Sequence, residues 1–170
     1  DSRLGYMMDR YSGIPGVCMV VPADNEGNAR HHFYSLADAR TYEFVEVDID
    51  VEDNYFGFIA EVWWRSPGLF DIEVDIEVVS PSGDIFPRTT VYPTITRMRK
   101  FSQENTTLEI YFGVILEQTR DQVIFLRFED SKPGIWKIRI YPNERILTGF
   151  HVWLPLTEFL DGDTFFLRPD

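Results

Sequence analysis

Val123-Ile-Phe-Leu-Arg-Phe-Glu-Asp-Ser-Lys-Pro-Gly-Ile-Trp-Lys-Ile-Arg-Ile-Tyr141 decides how this chain is read. Ile124, Leu126 and Phe128 fall on one side of an extended chain. Trp136, Ile138 and Ile140 repeat the pattern, with Lys137 and Arg139 on the opposite side. Alternation with period two is the mark of a strand with one buried face. Between the two runs, Asp130-Ser-Lys-Pro-Gly134 is a turn, because Pro fixes φ and Gly permits φ > 0. The stretch therefore predicts a β-hairpin, anchored by the roughly 150–250 Å² that a tryptophan such as Trp136 can bury.

Working outward, the same alternation recurs. Strands are expected over 41–52, 56–65 and 69–79, the last with Ile72, Val74, Ile76 and Val78 facing inward. Ser80-Pro-Ser-Gly83 reads as a turn, with weaker strands after it at 85–92 and 94–100. Residues 106–117 form a strong candidate, with Leu108, Ile110, Phe112, Val114 and Leu116 on one face, and 149–154 completes the set. Eight or nine strands separated by turns predict a mainly β domain, a jelly roll or β-sandwich of about eight strands. A short α/β piece precedes it. Leu4, Met7, Met8 and Tyr11 have helical spacing, Gly13 to Gly16 stop the helix, and Val17-Cys-Met-Val-Val21 suits a strand buried on both faces. Pro22 to His32 is polar and turn-rich, a loop. The expected division is 1–38, 39–160 for the sandwich, and a return segment 161–170.

Composition narrows the function. The 170 residues suit one domain or a domain plus a fragment, and 44% hydrophobic residues with 15% aromatics can build a packed core. A formal net charge of −12 argues against nucleic acid and anionic membrane as partners, since both need clustered cations. The one cysteine, Cys18, permits no internal disulfide and is expected to be a buried, inert thiol. No run reaches the ~18 apolar residues of a membrane span, and no signal peptide is visible. The chain opens on Asp1 and closes on Arg168-Pro-Asp170, so a piece of a longer protein is expected.

Several clusters invite chemistry. Glu46, Asp48, Asp50 and Glu52 share one side of a strand, as do Asp71, Glu73, Asp75 and Glu77. Such faces could hold calcium, but same-face side chains on a flat strand lie ~6–7 Å apart, too wide for one ion. A solvated face meeting cations such as Lys137, Arg139, Arg97, Arg99 or Lys100 is expected instead, with no metal and no cofactor. Trp63 and Trp64 are neighbours, so one must face outward, and with Trp136 and Trp153 they raise carbohydrate binding as an alternative. His31 and His32 point to opposite sides of an extended chain and make a poor metal pair. No Gly-x-Ser-x-Gly, Walker, His-Glu-x-x-His or Rossmann motif is present.

The run Val17–Asn28 adds a family resemblance. An apolar strand leading into Ala23-Asp-Asn-Glu-Gly-Asn28 resembles the subtilisin-family stretch ending in Ala-Gly-Asn-x-Gly, whose Asn contributes to the oxyanion hole. Asn25 is the matching residue. Its NH₂ can donate to a tetrahedral oxyanion, although Asn also serves turns. Ser80-Pro-Ser-Gly83, Pro133-Gly-Ile-Trp136, Trp153-Leu-Pro155 and Phe165-Phe-Leu-Arg-Pro169 together resemble the clostridial Csp-type germination subtilases. Those proteins carry a jelly roll inserted between the oxyanion-hole Asn and the catalytic Ser. The resemblance covers nearly the whole chain. It implies a bacterial serine endopeptidase of spore-associated or extracellular setting, acting in proteolysis during spore germination. It implies as partners the rest of the catalytic domain, its prodomain and a peptide substrate. The family's catalytic Asp, His and Gly-Thr-Ser segments do not occur among these residues, and His31 and His32 do not match its catalytic His. Asp24 stands where the family has Gly, and Pro22 where it has a small residue. A carboxylate there opposes developing negative charge and raises a pseudoprotease scaffold as a further alternative.

Overall fold

The computed structural model describes residues 3–20, 26–35, 44–52, 56–65, 74–91, 95–115, 121–142 and 149–168. A helix, α1 (Arg3–Ser12), comes first, as its spacing predicts. The strands after it are β1 (His32–Ser35), β2 (Val45–Val51), β3 (Phe58–Arg65), β4 (Val74–Val79), β5 (Ile85–Thr90) and β6 (Arg97–Phe101). The remaining ones are β7 (Thr106–Ile115), β8 (Asp121–Glu129), β9 (Gly134–Pro142), β10 (Phe150–Trp153) and β11 (Thr164–Phe166). Two antiparallel sheets result, one ordered β1-β10-β3-β8-β7-β6 and the other β11-β2-β9-β4-β5. The mainly β sandwich is as expected. The described strands number eleven rather than eight or nine, because β1 and β11 are hidden in polar surroundings. Both lie outside residues 39–160. β2 pairs β9 while β3 pairs β8, so one ribbon winds beside the other across both sheets, in the manner of a jelly roll.

The core forms where the two inner faces meet. Val47, Ile49, Val51, Val74, Ile76, Val78, Trp136, Ile138 and Ile140 come from one sheet. Phe58, Ala60, Val62, Trp64, Leu108, Ile110, Ile124, Leu126 and Phe128 come from the other. Each set is every second residue of its strand, the result of side chains alternating across a pleated backbone. Two residues of the predicted pattern, Ile72 and Leu116, lie outside the described residues.

The decisive stretch is not a hairpin. β8 pairs with β3 and β7, β9 pairs with β2 and β4, and the two runs lie in different sheets. Alternation reports which face is buried and is silent about which strand is the hydrogen-bonding neighbour. Here the turn carries the chain across the core as an arch. Asp130 takes a left-handed φ of 53° and Gly134 a φ of 132°. A Cβ on Gly134 would lie 2.7 Å from Pro81 Cβ, so the Ser80–Gly83 turn sits directly on the arch. Arch backbone lacks the ladder bonds of a hairpin, and buried backbone groups need partners. Thr106, fully buried, supplies two of them: its hydroxyl donates to Asp130 O (2.9 Å) and accepts from Lys132 N (3.3 Å). The Trp136 indole N–H donates to Lys132 O at 3.1 Å.

The acidic faces resolve into ion pairs. Arg139 lies opposite both Glu46 and Glu77 in register and bonds them at 2.8 and 2.7 Å. Lys137 reaches Asp48 at 2.8 Å and Glu46 at 3.0 Å, and Arg168 closes on Asp48 at 2.7 Å. Lys137 and Arg139 thus meet the acids as the sequence suggested, but so do Arg168 and, at Asp75, Arg88, whereas Arg99 turns to Asp84; Asp71 and Glu73 lie outside the described residues. Burial works to raise the Asp48 carboxyl, but the bonds from Lys137 and Arg168 prevail and hold it below its ordinary range.

Trp136 is completely buried and meets Phe101 and Phe128 edge-on, with ring centroids 5.1 and 5.3 Å away. Trp136→Ala should cost about 3–5 kcal/mol through the cavity it leaves, read from urea unfolding. A loss under about 1 kcal/mol would mean that the ring does not join the sheets.

Candidate functional site

Asn25, the one catalytic candidate, lies outside the described residues, as do Pro22 and Asp24. The described chain resumes at the next residue. Glu26 receives the Thr157 backbone N–H on both carboxylate oxygens, at 2.9 and 3.1 Å, and accepts from His31 Nδ1 at 3.1 Å. Burial pushes the Glu26 carboxyl upward, but the Thr157 and His31 bonds outweigh it and the net shift is downward. Thr157 opens a short 3-10 turn, Thr157–Phe159. The rest of the loop is tied down as well. Arg30, at a φ of 56°, accepts Phe166 N–H at 2.9 Å and lays its guanidinium 3.9 Å over the Phe165 ring. His31 O accepts Leu154 N–H at 2.9 Å. Residues 26–31 are therefore clamped to the end of β10, the 3-10 turn and β11.

The apolar run at 17–20 behaves differently from expectation. It forms no strand, Val17 and Met19 are exposed, and Val20 is 88% exposed. Cys18 is exposed too, not the buried thiol its neighbours suggested. An apolar segment becomes a buried strand only beside partner strands. Among the described residues it has none. Met7 and Tyr11 of α1 and Ile14 after it are exposed in the same way.

His31 and His32 diverge as alternation requires. His31 turns to Glu26, while His32 Nε2 meets His151 Nδ1 at 2.9 Å. The His32 ring stacks on Trp153 with centroids 3.8 Å apart, and His151 tilts against Tyr34 at 4.7 Å. Trp64 is buried in the core and Trp63 takes the outer face, settling which of the pair turns outward. Sequence alone does not reveal the His32–His151 pair. Its only signal is that 32 and 151 lie on strands whose outward positions can be counted, and β1 is too short and polar to read as a strand. No metal-binding group of three or more His, Cys, Asp or Glu occurs among the described residues, and no described helix is long and apolar enough to cross a membrane.

No protein-family model matches the chain, and no curated protein sequence matches it. Among solved structures the chain is similar to the CspB protease of Clostridium perfringens, with a TM-score of 0.78 and 21% identity. The match covers 100% of this chain and 34% of that one, so the chain spans about a third of that protein's length. The chain thereby shares its fold with a part of that protease.

Burial, and then the neighbouring His151, push the His32 pKa below its ordinary 6.5. An imidazole held neutral in the fold stabilises it above pH 6.5, and that contribution is lost as pH falls through the lower folded value. Acidification from pH 7 to 5 should therefore destabilise the native protein more than His32→Gln, measured by paired urea unfolding curves. Equal pH slopes would remove His32 as the cause.

Proposed function

We propose that this chain is the oxyanion-hole segment and β-sandwich insert of a bacterial subtilisin-like serine endopeptidase of the Csp germination type. The observation that carries the reading is the fold likeness to part of a Csp protease along the whole chain, joined to the Ala-Asp-Asn-Glu-Gly-Asn segment at its head. Within this reading the full protein cleaves peptide bonds by acyl transfer through Ser, His and Asp contributed outside these residues. Asn25 donates its amide hydrogen to the oxyanion as charge develops there.

The insert's role is to brace the catalytic core. Glu26, the next residue after Asn25, is held by Thr157 N–H and His31, and so the sandwich fixes the chain on one side of the proposed oxyanion hole. The exposed apolar side chains of Met7, Tyr11, Ile14, Val17, Met19 and Val20 are the surface against which the remainder of the core packs. Peptide substrate and prodomain are partners of the full protein. Asp24 works against catalysis, because a carboxylate beside the hole repels the developing oxyanion.

Fluorophosphonate labelling of the full-length protein tests this. The expected result is labelling that Asn25→Ala slows by roughly 10²–10³-fold. Absence of labelling in the folded protein would contradict an active protease and leave a scaffold as the role of the chain.

A further inference from the structure

The outer face of the six-stranded sheet holds an open cleft of about 340 Å³, lined by Trp63, Trp64, Arg65, Asp121, His151 and Trp153. That volume lies at the small end of ligand sites, which run ~300–1,000 Å³. Register explains the gathering. β10 lies between β1 and β3, so His32, Trp153 and Glu61 form one cross-strand row, and Tyr34, His151 and Trp63 form the next.

Trp153 is 44% exposed although one face of its indole is covered by His32. It also lines the cleft. His32 is fixed by His151, and His151 by Tyr34, so this aromatic platform is set before anything binds. Preorganisation of that kind removes part of the entropic cost of binding. The polar groups are aimed as well. Trp63 Nε1 donates to Glu61 at 2.8 Å, and Arg65 grips Asp121 through Nε at 2.7 Å and Nη2 at 3.2 Å. The pair lines the cleft with guanidinium N–H donors and carboxylate oxygens.

Charge selects the ligand. Arg65 and Asp121 offset one another in the lining, which favours neither a cation nor, in a chain of net charge −12, an anion. A neutral molecule with many hydroxyls and one C–H-rich face suits both requirements, since the positive C–H edges lie on the negative face of an indole. We propose that this cleft binds a neutral pyranose oligosaccharide, with Trp153 as its stacking platform and the Arg65–Asp121 pair holding its hydroxyls. The proposal is independent of the protease reading.

Cellotriose, chitotriose and maltotriose serve as probes in isothermal titration against the full-length protein. Saturable heat is expected with at least one of them, and Trp153→Ala should weaken that binding about tenfold or more. Arg65→Gln, at an exposed side chain, should weaken it in the same direction while the far-UV spectrum of the native fold persists. No heat with any of the three sugars overturns the proposal, as does native-like affinity in both variants.

Discussion

Everything in this sandwich depends on the crossing between β8 and β9. A chain that leaves one sheet and enters the other must give up ladder bonds at the crossing, and each buried group left unpaired there costs about 1–3 kcal/mol. Here Thr106 bonds both flanks of the crossing, and the Trp136 indole caps Lys132 O. The same indole then fills the space between the sheets against Phe101 and Phe128. Polar satisfaction and core packing are thus met by one residue. Gly57 marks how closely neighbouring strands are fitted at their ends: at a φ of 77°, a Cβ there would lie 1.8 Å from Phe128 O.

Once the crossing is fixed, the outer faces are determined. Register places Arg139 between Glu46 and Glu77, and Lys137 beside Asp48, so the two acidic faces and the basic one interleave. Exposed pairs contribute only ~0.2–1 kcal/mol each, and these are half-buried, with Asp48 buried outright. Their larger effect is on register: a slip of one residue would turn these charges into the core and its aliphatic partners outward.

The strands were legible because alternation survives in sequence, from Val47 through Ile140. The arch was not, because period two is the same for a hairpin and for two strands facing each other across a core. β1 and β11 escaped because three or four residues carry too little pattern among His, Ser, Asp and Thr. The paired carboxylates were legible once Lys137 and Arg139 were counted on the facing side. The apolar run misled at residues 17–20 because apolar character shows what a segment can bury, not what is there to cover it. At the candidate site, the divergence of His31 and His32 could be read from their adjacency. The clamp of Glu26 on Thr157 joins positions 131 residues apart, and no local pattern reports it.

The loop that begins at Glu26 and the last described strand meet at one end of the sandwich. Glu26 and Arg30 bind the 3-10 turn and β11 there. The exposed apolar residues 17–20 lie a few residues earlier in the chain. If the sandwich braces a catalytic core, that stretch must be covered in the full-length protein. Hydrogen exchange of the amides of residues 17–20 tests this directly. The account predicts slow exchange, from pairing with strands of the core and burial of Val17, Met19 and Val20. Exchange at the rate of an unstructured peptide would contradict it.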